Sequence, residues 1–202
     1  MVNLVGIARP ALRLLAFVDE KNLFGASQKF KKRLAWDKLP NYLANPDEGR
    51  DLVEMVVYVG LPPNVPDFQE KRQRKLRFAH YLRTQGLMVV AKEGSPAGAE
   101  PDGRPKYKAN VDVLMAIDAM DLATQIRPDV VVLVTGDSDF AHLATSLRRR
   151  GIRVEVAAVD QNLGTELKAA ANSVIDLRDL FNTFANLHPD ELNRIGSADV
   201  MD

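Results

Sequence analysis

Five short apolar runs, at 14–18, 55–59, 87–90, 130–134 and 154–159, the last interrupted only by Glu155, constrain this chain more than any other feature. Side chains alternate across a strand, so an unbroken apolar run bounded by turn formers marks a strand buried on both faces, as in a parallel sheet covered by helices. The spacers carry the helical period. Residues 67–85 are highly charged but keep Leu76, Ala79 and Leu82 available to face a sheet, and Gly86 stands where a helix stop belongs. Val111, Leu114, Met115, Leu122 and Ile126 give a second helix, closed by Pro128. Phe140, Leu143, Ala144 and Leu147 recur at i, i+3, i+4 and i+7, with Asp137 or Ser138 as cap and Gly151 as stop. The expected fold is α/β, an open doubly wound and mainly parallel sheet of about five strands in the order 3-2-1-4-5, with right-handed crossovers.

A length of 202 residues with 46% apolar content suits one domain, expected over 1–185, with a polar tail at 186–202. A helical insertion is expected at about 22–51, with Asp37 as its cap, Pro40 in the first turn and Trp36, Leu39 and Leu43 on one side. Three glycines and three prolines make 93–105 read as a loop. The absence of cysteine excludes disulfides, a thiol nucleophile, zinc fingers and iron–sulfur clusters, so any metal must take oxygen or imidazole ligands. The apolar stretch at the start is broken by Arg9, Pro10 and Arg13, which fits neither a signal peptide nor a membrane span. The expectation is a soluble, cytoplasmic protein with no membrane partner; self-association is compatible with the sequence but not encoded in it.

Basic and acidic residues balance at 27 each, which removes the simplest argument for nucleic-acid binding. Positive charge is nonetheless clustered, at Lys29 to Arg33, at Lys71 to Arg77 and at Arg148 to Arg150. Each cluster has a plain reading as a solvated helix face or end, and the third sits where cations complement a helix C-terminus.

The chemistry gathers where strands stop. Asp19 follows the first apolar run, while Asp137 and Asp139 follow the fourth through Thr135 and Gly136. In the expected order those two strands are neighbours, and open α/β sheets bind ligands beyond the carboxyl ends of such strands. Asp112 stands near the start of its helix, on the face of Ala116, Ala119 and Ala123, and so aims at the same end of the sheet. Ionised carboxylates in one crevice raise one another's pKa unless a cation intervenes, and Mg²⁺ or Mn²⁺ with oxygen ligands is the natural one. Capping for Asp137 and Asp139, an Asx-turn for Asp19 and dipole compensation for Asp112 remain alternatives at this point.

The segments Phe17-Val18-Asp19-Glu20-Lys21-Asn22-Leu23, Val111-Asp112-Val113 and Thr135-Gly136-Asp137-Ser138-Asp139-Phe140 resemble the NYN domain family of PIN-like ribonucleases, in its LabA-like bacterial branch. The resemblance spans roughly 12–180. It implies a PIN-like fold, Mg²⁺ or Mn²⁺ held by Asp19, Asp112, Asp137 and Asp139, and hydrolysis of RNA, with Asn22 matching the polar residue after the first strand. Ser138 either assists through its hydroxyl or caps the helix. Lys106 and Lys108, just before Asp112, are placed to contact phosphate. Where the family often has Gly, Lys-Gly and Pro, this chain has Glu20, Ala109-Asn110 and His142. Glu20 is expected as a solvated side chain and His142 as a structural or surface residue.

Rival chemistries lack their residues. Neither a Gly-x-x-x-x-Gly-Lys-Ser/Thr loop nor Gly-x-Gly-x-x-Gly is present. Lys21 stands where an aspartyl phosphatase of the haloacid dehalogenase type needs its second Asp, and the three histidines are scattered. The leading expectation is a divalent-metal-dependent ribonuclease, endonucleolytic in mode. An RNA-binding or regulatory module without turnover is the alternative, followed by a small-molecule phosphohydrolase.

Overall fold

The computed structural model describes residues 10–99 and 103–188. Its centre is β1 (Leu12–Asp19), in which residues 14–18 are completely buried. The chain then forms α1 (Glu20–Lys29), a short α2 (Leu39–Leu43) and β2 (Arg50–Leu61). A long α3 (Gln69–Thr84) leads to β3 (Met88–Glu93), followed by the strand pair β4 (Ser95–Ala99) and β5 (Pro105–Lys108). Next come α4 (Asp112–Ile126), β6 (Val130–Val134), α5 (Ala141–Arg148) and β7 (Arg153–Ala158). The chain closes with α6 (Thr165–Ala170), β8 (Ser173–Asp176) and α7 (Leu177–Asn182).

The main sheet runs β3-β2-β1-β6-β7-β8, every neighbouring pair parallel. It differs from the expected five-stranded sheet by a sixth, edge strand, β8. That strand escaped the apolar-run criterion because an edge strand is only half covered: Ser173 and Asp176 bracket Val174 and Ile175. The second correction is at 93–105, where an antiparallel β4–β5 pair replaces the expected loop, with 100–102 outside the described residues. Pairing there rests on backbone hydrogen bonds, which Gly and Pro flanks do not reveal.

Alternation along β1 divides the core. Leu14, Ala16 and Val18 join a cluster with Leu23, Leu39, Leu82, Leu177 and Phe181, which places α1, α2, α3 and α7 on one face. Leu15 and Phe17 join Met115, Ala119, Leu143, Leu147 and Leu167, which places α4, α5 and α6 on the other. Burying a Leu or Phe side chain contributes roughly 1.5–3 kcal/mol, so two such clusters hold the sheet from both sides.

Local expectations fare unevenly. Trp36, Leu39 and Leu43 are buried and Pro40 lies in the first turn of α2, but the residue before α2 is Lys38 and no side chain caps it, so Asp37 is not the cap. The insertion starts at Glu20, directly off β1, and ends with a turn at Pro46–Glu48 before β2. Gly86 and Gly151 take the positive φ that ends helices in this way. Asn186 pairs with Lys32, and Leu187 donates to the Lys31 carbonyl; the rest of the expected tail, 189–202, and the interrupted stretch at 1–9 lie outside the described residues.

Candidate active site

Asp19 is the last residue of β1 and the N-cap of α1; its Oδ1 accepts the Asn22 backbone N–H at 3.1 Å. Its pairing partner on β2 is Tyr58, and paired residues of parallel strands share a face, so Asp19 points to the side of α4 and α5. Asp137 follows β6 and caps the turn Ser138–Phe140, its Oδ1 accepting the Asp139 backbone N–H at 2.9 Å. Between the two, Asn22 forms a clamp. Its backbone N–H serves Asp19 and its side-chain Oδ1 accepts the Gly136 N–H at 2.9 Å, tying the end of β1 to the end of β6.

Glycine is required at Gly136, where a Cβ would stand 2.0 Å from the Asn162 carbonyl oxygen. The Gly164 N–H donates to the Gly136 carbonyl at 2.8 Å, and the Ser138 hydroxyl packs against Gly164. Of the two residues expected as cap, Asp137 fills that role and Ser138 leans on the segment before α6.

Asp112 opens α4 and faces this end of the sheet. The electrostatics show which carboxylates converge. Burial, opposed by the Asn22 N–H and reinforced by Asp112, Glu20 and Asp137, pushes the Asp19 carboxyl from 3.8 up to about 6. Burial also raises Asp112, with added repulsion from Asp137 and Asp139 and relief from Lys21 and Lys108. Asp112 thus lies within electrostatic reach of Asp19, Asp137 and Asp139, and Asp19 within reach of Asp137. Asp19 is 6% exposed, while Asp139 is at the solvent edge.

Lys106, Tyr107 and Lys108 lie in β5, and the two-residue period puts both lysines on one face of the arm and the tyrosine on the other. Tyr107 fastens the arm: its hydroxyl donates to the Gly60 carbonyl at 3.3 Å, and its ring meets the Phe68 ring at 5.7 Å. Lys71 lies over the same ring. The opposite face carries Lys108 close enough to Asp112 to lower its pKa.

Three participants were missed from the sequence. Glu20 is not solvated: it is 3% exposed and ion-paired at 2.6 Å with Lys75, which places the middle of α3 beside the crevice. The signal available was only that Glu20 adjoins a buried strand and that a basic run exists elsewhere. Lys21 supplies positive charge near Asp112. Tyr58, fully buried under the site, donates its hydroxyl to Asp118 of α4 at 3.0 Å, and burial with that carboxylate raises its pKa steeply. His142 is exposed on α5.

All the convergent donors are carboxylate oxygens, which suits a hard divalent cation. One oxygen each of Asp19 and Asp137 is taken by a backbone N–H, and the second makes no hydrogen bond among the described residues. Among those residues no three acids or histidines are drawn close enough to form a ready ligand set. The chemistry of the donors therefore fits a metal, and the side chains have to close on it.

The model of the NYN domain matches residues 13–178. The chain is 32% identical over 173 residues to the low amplitude and bright protein LabA of Synechococcus elongatus, an alignment covering 85% of this chain and 87% of that one. It is 35% identical over 78 residues to the uncharacterized protein MJ0482 of Methanocaldococcus jannaschii, covering 38% of this chain and 32% of the other. A crystal structure of a protein of unknown function from Vibrio parahaemolyticus, VPA0982, superposes with a TM-score of 0.62 at 22% identity, over 85% of this chain and 96% of that one. The last similarity establishes the shared fold.

Proposed function

This chain belongs to the NYN domain family, a nuclease-like family, and we propose that it is a divalent-metal-dependent endoribonuclease. The observation that carries the reading is the placement of Asp19 and of Asp137 and Asp139 directly after β1 and β6, with Asp112 at the start of α4 beside them, where burial first and neighbouring carboxylates second raise the pKa of Asp19 and Asp112. Those four residues would hold Mg²⁺ or Mn²⁺. Such an ion supplies Lewis acidity to a phosphoryl group and makes water a better nucleophile.

The remaining work falls to the chain itself. Lys108, with Lys106 on the same face of the arm, holds phosphates of the RNA strand over the crevice. Asn22 keeps Asp19 and the Gly136–Asp137 turn in register, and Ser138 keeps that turn against the α6 side. Burial of Asp19 keeps bulk water from the floor of the site, where electrostatic interactions gain strength. Among the described residues no helix is long and apolar enough to cross a membrane.

A second reading, RNA binding without turnover, draws on one observation: the carboxylates are not preassembled into a three-ligand group. Incubating end-labelled RNA with the protein and Mn²⁺ separates the two. The nuclease reading expects internal cleavage that Asp137→Asn abolishes while the melting temperature stays within a few degrees, since Asn is also a good cap. Binding without cleavage by the unaltered protein establishes the second reading, and equal cleavage by the Asn variant removes Asp137 from the site.

A further inference from the structure

At the pole opposite the carboxylates, around the amino ends of β7 and β8, an open groove of about 610 Å³ is lined by Thr145, Arg148, Arg149, Ile152, Arg153 and Asn172. The lining holds three guanidinium groups and no carboxylate. Arg153 is partly neutralised by Glu155, at 2.8 Å. Arg148 and Arg149 make no ion pair among the described residues; Arg148 donates to the Ala170 carbonyl at 2.7 Å and Arg149 to the Ser146 hydroxyl at 3.0 Å. A guanidinium carries five donors, so single bonds to neutral acceptors orient these two side chains and leave most of their capacity open. Asn172 adds to the donors: its Oδ1 accepts the Val154 N–H at 2.8 Å, which leaves its amide NH₂ at the groove.

The groove lacks what a nucleotide base requires. Ile152 is its one apolar side chain and is only 8% exposed, and no aromatic ring lines it. Open shape, unpaired guanidinium groups and no surface for stacking suit the phosphates of an extended strand, contacted without regard to sequence. A path to it exists along α5. Its outward residues His142 and Thr145 and its C-cap Arg149 follow one another at i, i+3 and i+7, and the helix contains no carboxylate. From the acidic crevice outward that surface turns from negative to neutral to positive.

We infer that this arginine groove is a second RNA-backbone site, which holds the strand after it has left the carboxylate crevice and crossed α5. The inference rests on the proposed ribonuclease function and adds to it a distant anchoring site. Six residues of β7 at about 3.3 Å each put roughly 20 Å between the two poles, so only an RNA that spans this distance engages both.

The test compares a short single-stranded RNA, sufficient for the crevice alone, with one long enough to reach the groove. Affinities are measured by fluorescence anisotropy with the four carboxylates unaltered and Ca²⁺ in place of Mn²⁺, a hard oxygen-binding cation that activates water poorly, so that the RNA survives. Arg148→Gln with Arg149→Gln should weaken binding of the long RNA about tenfold and flatten its log–log salt dependence by about 0.7 per lost phosphate contact. Binding of the short RNA should be unchanged, and Arg148→Lys with Arg149→Lys should restore most of the salt dependence at an unaltered melting temperature. Equal losses on both RNAs, or undiminished binding of the long RNA by a folded Gln variant, overturn the inference. Displacement of the long RNA from the groove by free nucleotide would also overturn it, by making this a small-ligand site. If neither RNA binds even before the arginines are changed, the ribonuclease reading falls and the groove's role with it.

Discussion

Replacing Asp19 with Asn should stabilise the metal-free protein, and by an amount that depends on pH in one direction only. The wild-type carboxyl is raised from 3.8 to about 6, chiefly by burial. Between those values the folded chain holds a proton that the unfolded chain has released, so the contribution of Asp19 to wild-type stability is greatest below about 4 and declines as pH rises through 6. At about 1.36 kcal/mol for each pKa unit, ionising the buried group costs about 3 kcal/mol once the pH exceeds 7. Asn removes that cost while still accepting the Asn22 N–H as an N-cap. For a chain of this length the gain corresponds to an increase in melting temperature of roughly 6–12 °C.

The assay is thermal or urea unfolding in EDTA at pH 7.5 and pH 4.5. The variant should exceed wild type by about 3 kcal/mol at the higher pH and by only about 1 kcal/mol at the lower, where the folded carboxyl is still mostly protonated. Adding Mn²⁺ should then stabilise wild type more than the variant, because the cation relieves the same repulsion that Asn abolishes. A gain of equal size at both pH values, or a loss at both, would refute the argument, since either would mean that packing or the cap controls the outcome rather than ionisation.

Other outcomes follow from the same geometry. Lys75→Met strands the Glu20 carboxylate, 3% exposed, without its partner; breaking such a pair should cost about 3–5 kcal/mol, read from urea unfolding, while pairing it with Glu20→Met should recover most of the loss. Gly136→Ala drives a Cβ into backbone, 2.0 Å from the Asn162 carbonyl oxygen, so it should lower the melting temperature more than Gly164→Ala, whose nearest obstacle is the Ser138 hydroxyl, a side chain able to rotate. Replacing Lys106 and Lys108 with Gln should weaken RNA binding and flatten its salt dependence by about 0.7 per lost contact, with single-turnover cleavage at saturating protein little changed. A collapse of that cleavage step with unchanged affinity would move these lysines from binding into the chemistry.

The strands that carry the site were legible because they are buried on both faces: an apolar run such as residues 130–134, five residues long, mainly β-branched and bounded by Pro128 and Gly136, is decided in favour of a strand by its length and flanks. Their carboxylate ends were legible for the same reason, a charge placed directly after a dry strand being conspicuous. What failed depended on partial burial or on pairing between distant segments. β8 shows too little apolar surface to stand out, and the β4–β5 arm is held by backbone bonds and by Tyr107, whose anchoring contacts with Gly60 and Phe68 lie far away in sequence. The burial of Glu20 depends on Lys75, 55 residues away. Nothing in a basic run indicates which of its members will turn inward.

The sequence left capping and ligand binding as rivals for Asp19 and Asp137, and the geometry makes them compatible. The chain leaves β1 for α1 on one face of the sheet and leaves β6 for α5 on the other, so the crevice opens where the two departures diverge. Each departure begins with an aspartate that gives one oxygen to a backbone N–H of the turn it starts. That bond lowers the pKa of Asp19 against the larger effect of burial, and it fixes the carboxylate in place. A capping aspartate at such a position is thus a positioned carboxylate with its other oxygen still uncommitted. Asn preserves the cap and removes the charge, so it separates the two roles at both positions: fold retained and metal response lost is the outcome that the shared role requires.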